Sequence, residues 1–281
     1  MIQAEDGGGR NAVSSLSWLS YLAVFAATAV AAPVSVRAEP SPQTVIAVVD
    51  LSGPFATRSQ WKVTASQGPP INDPTGVGDD KVSGEINLCL HASVSGPCDP
   101  QLQTALGAAS SDDLYSAPHY LNEVRVVHGV GGLPLLFVQT ASVHSVDGDQ
   151  IVLTQALAYE RGADRFVRVY SHPTGRNNSQ EVRFIEAGVL KGDIISVEPT
   201  ANAPFGFWIS VNTLARGSSY KQVLRYRSAT GYGDGNPLAV IDSEMPNIEQ
   251  RLGLWRAGSP LPLPAGACPT PHLVHMELWC R

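Results

Sequence analysis

The chain has 281 residues, of which 43% are hydrophobic and 16% charged, with 26 Gly and 21 Pro. This length allows a sizeable buried core, and the low charge with frequent Gly and Pro favours short elements joined by turns over long surface helices. The net charge of −6 repels phosphate backbones, and no Lys/Arg cluster interleaved with aromatic residues offsets it. The composition therefore argues against nucleic acid as a partner.

The first element in chain order is an apolar run. No residue from 11 to 36 is charged, and the run ends at Val36-Arg37-Ala38, which fits a signal-peptidase site. We predict that residues 1–38 are a signal peptide and that residues 39–281 form a single all-β domain in an extracytoplasmic compartment, periplasmic or secreted. The poorly cationic start leaves a retained membrane anchor as the alternative. After cleavage no stable membrane span is expected.

The four Cys residues all lie in the predicted mature part: Cys89, Cys98, Cys268 and Cys280. An even number in an exported chain indicates two disulfides. Three pairings are open, and the local one, Cys89 with Cys98 and Cys268 with Cys280, asks least of the fold. A bridge from the N-terminal third to the C-terminal tail is the alternative. Spacings of nine and twelve without a Cys-x-x-Cys pair argue against zinc.

Strand-like runs follow at short intervals along the chain. Many alternate apolar and polar residues, as in residues 165–170, and they are rich in β-branched and aromatic types. Turn sequences rich in Gly, Asp and Ser separate them. The predicted strands are 44–50, 61–66, 85–91, 123–129, 134–140, 150–159, 165–171, 181–186, 193–198, 205–212, 221–228, 237–242 and 272–279. Two short helices are expected, over 99–109 and from Ser243 towards Leu252.

Two segments of this β-rich part resemble each other. YSHPTGRNNSQEVRFIE (170–186) and YRSATGYGDGNPLAVID (226–242) align without gaps, 56 residues apart, at a Tyr, a Thr-Gly pair and an Ile. The segments 137–186 and 193–242 are therefore interpreted as an internal duplication. A period near fifty with four strands predicts antiparallel meander sheets in a propeller-like or duplicated-sheet architecture, with a β-sandwich as the alternative.

The two Thr-Gly loops are the first candidate site. As plain turns, their Gly and Asn residues supply left-handed backbone angles. As functional loops aligned on one face, they would converge on a polar ligand. The candidate ligand-binding residues of these loops are Arg176, Asn177, Asn178, Asp234 and Asn236.

An aromatic segment gives a second candidate. In residues 203–212, Phe207 and Ile209 alternate with Trp208, so one face is expected to be core. If Trp208 is exposed near Tyr226 and Tyr232, these rings are expected to form a stacking platform for a sugar or a peptide. Burial in the sheet is the commoner fate of such a Trp.

No catalytic motif is complete in the sequence. Gly-x-Ser-x-Gly and His-Glu-x-x-His are both absent. We therefore predict no catalytic residue, no metal site and no cofactor, with Ca²⁺ near Asp234 as the weaker alternative. The sequence favours an exported, non-catalytic binding or scaffold protein whose partner is a glycan, a peptide or an envelope protein. The alternative is a secreted hydrolase that draws its site from loop residues, namely Asp112, Asp113, His119, Asp147 and Asp149.

Overall fold

A computed structural model describes residues 42–76, 81–93, 96–102, 106, 116–175, 181–200, 205–215, 219–231, 235–263 and 266–281. The predicted signal peptide, 1–38, and most of the expected helix 99–109 lie outside these ranges. Within the described ranges, no helix is long and apolar enough to cross a membrane.

Antiparallel strands make up about half of the described chain. The N-terminal sheet has the order β1-β2-β5, the first meander sheet β6-β7-β8-β9 and the second meander sheet β10-β11-β12-β13, and the pairs β3–β4 and β14–β15 form two hairpin-like sheets. The strands are β1 (Thr44–Asp50), β2 (Lys62–Gln67), β3 (Ile71–Asn72), β4 (Lys81–Val82), β5 (Ile86–His91), β6 (Tyr120–His128), β7 (Pro134–Ala141), β8 (Ile151–Glu160), β9 (Arg165–Gly175), β10 (Glu181–Phe184), β11 (Ile194–Pro199), β12 (Phe205–Leu214), β13 (Tyr220–Gly231), β14 (Pro271–Val274) and β15 (Glu277–Cys280). The helices are α1 (Ser52–Phe55) and α2 (Val240–Arg251).

The sheets stack in layers, and β7 shows why. Leu136 and Val138 enter a core shared with the N-terminal sheet, whereas Leu135 and Phe137 enter a core shared with the second meander sheet. Because side chains alternate across a strand, a strand that is covered on both faces needs a continuous apolar run, as in the sequence PLLFV. The other face of the second meander sheet packs against α2.

The predicted fold class is confirmed: the described chain is all-β and built from antiparallel meanders. Its face-to-face layers are those of a β-sandwich, the alternative that the sequence left open. Among the described residues, only β6–β9 and β10–β13 form four-stranded sheets. A propeller needs at least about four such blades around a channel, so the propeller-like arrangement has no support here.

The two meander sheets share a detail of their last strands. In β9, Val169 has no partner because Arg168 pairs with Leu157 and Tyr170 with Ala156. In β13, Val223 is skipped in the same way. Each sheet therefore carries a β-bulge in its fourth strand, and β9 and β13 end at the Thr-Gly pairs, at Gly175 and Gly231. A duplication stays a prediction with which this likeness agrees.

Three local expectations were wrong. Residues 237–242 form no strand, since α2 begins at Val240. This helix starts before Ser243 because the Ser243 side chain bonds the Leu278 carbonyl (2.8 Å) instead of capping the helix. Residues 272–279 form a hairpin and not one strand, because His275 and Met276 both take positive φ angles, 49° and 71°.

Covalent and ionic links fix the outer parts of the fold. The disulfides join Cys89 to Cys98 and Cys268 to Cys280, which confirms the local pairing. Two oxidised pairs are typical of an oxidising, extracytoplasmic environment. Arg183 on β10 binds Asp242 at the start of α2, with Nη1 2.5 Å from Oδ1, and so ties the helix to the sheet edge.

Candidate functional site

The predicted loop site is only partly visible. Arg176, Asn177, Asn178 and Asp234, together with Tyr232, lie outside the described residues, so their convergence stays a prediction. Asn236 is described, and its side chain serves the local fold. Its Nδ2 donates to the Leu278 carbonyl (2.7 Å), and its Oδ1 accepts from the Leu238 amide (3.2 Å). Asn236 therefore holds the C-terminal hairpin in place.

Trp208 and Tyr226 lie on opposite faces of the second meander sheet. Trp208 pairs across the strands with Arg227, whereas Tyr226 pairs with Ile209 and is only 7% exposed in the core beside α2. The prediction that these two rings form one platform is therefore wrong. Tyr226 is the neighbour of Arg227, and neighbouring positions of a strand point to opposite faces. Trp208 itself is 37% exposed, although burial in the sheet is the commoner fate of such a Trp, and the Arg225 guanidinium lies 4.5 Å from its ring centroid.

A polar cleft lies instead between β9 and the second meander sheet. Its volume is about 470 Å³. Side chains from four strands line it, and nearly all of them carry hydrogen-bonding groups. The polar lining residues are Tyr170, Ser171 and His172 of β9, Ser196 and Glu198 of β11, Ser210 and Asn212 of β12, and Tyr220, Gln222 and Arg225 of β13. The cleft therefore offers donors and acceptors from both sheets.

The bulge at Val169 explains why β9 presents polar groups to this cleft. Val169 and Tyr170 are neighbours in sequence, yet both are buried in the core between the two meander sheets. In a regular strand the second of them would point to the opposite face. Because the bulge inserts one residue, Tyr170 and His172 face the second meander sheet.

His172 and Glu198 form the charged contact of the cleft. His172 Nε2 lies 2.9 Å from Glu198 Oε1, and about a third of each side chain is exposed. The hydrogen bond from His172 lowers the pKa of Glu198 below its ordinary value, against burial, which raises it; the nearby Arg225 charge lowers it further. The Glu198 carboxyl is therefore held in its charged form at neutral pH.

Tyr170 carries the one polar group of the cleft wall that is buried without a partner among the described residues. The side chain is 8% exposed, and its hydroxyl oxygen makes no hydrogen bond. Burial is the main cause that raises the pKa of this hydroxyl, so it stays a neutral donor. Thr140 Oγ1 and Trp279 Nε1 are also unpartnered, but neither residue lines the cleft. A buried hydroxyl without a partner costs about 1–3 kcal/mol, and a site for a ligand is one reason to keep it.

An apolar cavity of about 770 Å³ adjoins the polar cleft. The two share Val169 as a lining residue. Apolar groups, including the side chains of Val130, Leu133, Val167 and Leu214, supply most of its surface, and the charged Glu160, Arg165 and Arg168 line it as well. Asp193 also lines it, and burial raises the pKa of that carboxyl. We call the cleft and the cavity together the groove.

The residues proposed for a hydrolase do not form this site. Asp112 and Asp113 lie outside the described ranges. His119 is 4% exposed, and its Nδ1 is bonded to the Ser83 carbonyl (2.7 Å), so it has a structural role. Asp147 and Asp149 lie in the turn between β7 and β8, where Ser145 Oγ accepts from the Asp149 amide (3.0 Å).

Metal chemistry has no visible site either. Among the described residues, no group of three or more His, Cys, Asp or Glu side chains is placed to hold a metal ion. The weaker Ca²⁺ alternative at Asp234 falls outside the described ranges.

Comparison with known proteins identifies no relative: no family model, no curated protein and no solved structure matches this chain.

Sequence reasoning missed the polar cleft almost completely. Its key contact joins His172 to Glu198, 26 residues apart, on strands of different sheets. No local spacing encodes such a pair. The one available signal was the polar alternation at the end of β9, where Tyr170 and His172 share a face.

Proposed function

We propose that the protein is an exported, non-catalytic binding protein that holds a ligand bearing hydroxyl or amide groups in the polar cleft. The observation that carries the proposal is the Tyr170 hydroxyl, buried without a partner in the wall of a cleft that polar side chains line. Two disulfides agree with export. The loop residues Arg176, Asn177 and Asn178 stay a separate prediction of ligand contacts.

The charge of the cleft favours a neutral polar ligand. Arg225 brings one positive charge, and Glu198 brings one negative charge that His172 also contacts. A strongly charged ligand would lose its hydration without gaining a net opposite charge. Hydroxyl and amide groups donate and accept at once, as this mixed lining requires.

A ligand can reach the Tyr170 hydroxyl only if a neighbouring side chain moves. Less than 1 Å² of its oxygen is open to solvent. A ligand therefore reaches it with a small rotation of a neighbouring side chain. The His172 ring, whose centroid lies 6.2 Å from that of Tyr170, is the nearest ring on the same strand. We expect His172 to change rotamer on binding.

A binding screen with matched variants tests the proposal. Panels of neutral oligosaccharides and of synthetic peptides are screened by thermal shift, and hits are measured by calorimetry. Tyr170→Phe should weaken binding of a hit by about tenfold, since one buried hydrogen bond is lost. Tyr120→Phe, the same change on β6 and outside the cleft, is the control. A hit that Tyr170→Phe and Glu198→Gln leave unchanged, or the absence of any hit, would refute binding in the cleft.

Catalysis is the competing outcome of the same screen. His172 and Glu198 lie beside Ser171, Ser196 and Ser210 in the cleft. Cleavage of a bound oligosaccharide or peptide, detected by mass spectrometry and lost in His172→Gln, would replace the non-catalytic proposal with a hydrolase.

A further inference from the structure

We infer that the ligand of the groove is an extended peptide, which adds as a strand to the free edge of β9. This inference rests on the proposed function and names its ligand class. An unpaired strand edge offers main-chain donors and acceptors, and pockets beside it then select side chains. The groove and β9 combine both features.

The groove runs along the edge of β9. Six consecutive residues of this strand, 167–172, line the cavity or the cleft. Because of the bulge, Val167, Val169, Tyr170 and His172 share the face towards the second meander sheet, and a pocket over that face alone would touch only those four. Contact with Arg168 and Ser171 as well means that the groove follows the strand edge itself.

That edge is unpaired among the described residues. β9 is the last strand of its sheet and pairs with β8 alone. Pro173 lies within β9 and has no N–H to donate, which is tolerated where the nitrogen faces away from the neighbouring strand. Because the pattern repeats every second residue, the N–H and C=O of Ser171 face the same free edge.

The pairing window is short. The bulge at Val169 and the missing donor at Pro173 lie on either side of Ser171. Bulges and edge prolines are devices that keep strands from pairing without limit with other copies of a chain. Here they leave a window around Ser171, which suits a short peptide segment and disfavours stacking of whole sheets.

The two pockets assign side chains to the peptide. The apolar cavity, with Leu133, Val167 and Leu214, suits one large apolar side chain. The polar cleft, where Arg225 and Glu198 balance each other, suits a Ser, Thr, Asn or Gln side chain farther along the strand. An oligosaccharide would use the polar cleft but has no main chain to pair with Ser171.

Peptides with blocked main-chain groups test the inference. The probes are peptides of about eight residues, the length of an ordinary strand, that combine one large apolar residue with Ser, Thr, Asn or Gln. Two derivatives of the best binder carry N-methyl groups, one at the odd positions and one at the even positions. A peptide paired in a strand turns alternate N–H groups to its partner. One derivative should therefore lose at least about tenfold in affinity, and the other should lose much less.

A protein variant tests the main-chain hydrogen bond between the peptide and Ser171 from the protein's side. Ser171→Pro removes the N–H that faces the free edge and should weaken the peptide by about tenfold. Asn122→Pro is the matched control, because Asn122 is the unpaired bulge residue of the edge strand β6, at an exposed site outside the groove. Circular dichroism checks that both variants fold. If Ser171→Pro does not fold, the N-methyl pair on the native chain decides alone.

Each outcome separates the two proposals. Peptide binding with alternating sensitivity to N-methylation supports both. Equal affinity of the two N-methyl derivatives, or binding of oligosaccharides without any peptide, would overturn the strand-addition inference and leave the polar cleft as a binding site. No binding from either panel would overturn the proposed function, and the inference falls with it.

Discussion

His172 of β9 and Glu198 of β11 meet across the two meander sheets, with Nε2 2.9 Å from Oε1. The contact depends on the β-bulge at Val169, which precedes His172 on the same strand. Val169 is the extra residue that turns Tyr170 and His172 towards the second sheet. The bulge therefore creates both the cleft wall and its hydrogen-bonded His172–Glu198 pair.

Replacement of Glu198 should show a characteristic pH dependence. Its pKa in the folded protein is lowered, first by the His172 hydrogen bond. A carboxyl with a lowered pKa stabilises the fold above its unfolded pKa and loses that contribution as the pH falls through its folded pKa. Glu198→Gln should cost about 1 kcal/mol at pH 7 for this partly exposed pair. Urea unfolding should show the difference shrinking below the ordinary value of 4.5, and a difference constant with pH would contradict this account.

Removal of the hydroxyl should change stability in opposite directions at Tyr170 and Tyr226, the two tyrosines matched in the repeat alignment. The Tyr170 hydroxyl is buried without a partner, so Tyr170→Phe should raise the free energy of unfolding by about 1 kcal/mol. The Tyr226 hydroxyl donates to Glu244 Oε2 (2.7 Å), so Tyr226→Phe should lower it by about 1–2 kcal/mol. Urea denaturation of both variants makes the comparison. Equal losses in the two would show that the Tyr170 hydroxyl has a partner in solution.

Much of this fold was predictable from the sequence, and the predictions that failed did so for a physical reason. The alternation around Trp208 gave the correct faces for Phe207 and Ile209, because the period of a strand is local information. The face of Tyr226 was mistaken because the pairing register of β12 and β13, with its bulge at Val223, is set by contacts between strands. The sequence 237–242 looked like a strand, but Val240 and Ile241 of this run are buried against the sheet from helix α2.

Asp164 ties the N-terminal sheet region to the turn between β8 and β9. Its carboxylate accepts from Ser59 Oγ (2.5 Å), the Tyr159 hydroxyl (2.6 Å) and Trp61 Nε1 (3.1 Å). These hydrogen bonds, Ser59's first, lower its pKa from 3.8 to about 2. The stabilisation is therefore present above about pH 4 and is lost between pH 4 and 2.

Asp164→Asn removes the charge of this network together with one of its two acceptor oxygens. Asn tolerates the left-handed backbone at this position, where φ is 47°, but its amide has one oxygen for three donors. The variant should melt below the native chain at pH 7, and the gap should narrow at pH 2.5. Asp147→Asn, at an exposed turn position, should change the melting temperature at neither pH. A gap that widens in acid would rule out the charged network.

Each disulfide should stabilise the fold by a similar amount. The bridges Cys89–Cys98 and Cys268–Cys280 span 9 and 12 residues. Loops of this size restrict the unfolded chain by about 3 kcal/mol in the chain-entropy model. The double Ser variants of each pair should lose about this much in urea unfolding. A loss near zero for either pair would mean that the unfolded segment is as constrained without its disulfide as with it.

The largest loss is expected from a carboxylate in the core. Glu244 of α2 is 0% exposed and accepts hydrogen bonds from Tyr226, Ser228 and Asn247, the last at 2.9 Å. Glu244→Ala removes the acceptor of the buried Tyr226 hydroxyl and of the Ser228 and Asn247 side chains, and should cost at least about 3 kcal/mol. Glu244→Gln keeps the volume and one acceptor oxygen and should lose less, because one group can still receive the Tyr226 hydroxyl.

An exposed glutamate supplies the comparison for that experiment. Glu160 pairs with Arg165 at the surface, with Oε2 2.7 Å from Nε, and Glu160→Ala should change stability by no more than about 0.5 kcal/mol. Urea unfolding followed by circular dichroism measures all three variants. If Glu244→Ala behaved like Glu160→Ala, water would have to reach the donors, and the junction of α2 with β13 would be open in solution. A loss confined to Glu244 instead identifies this carboxylate as a polar contact that, together with Arg183–Asp242, fixes the helix on the sheet.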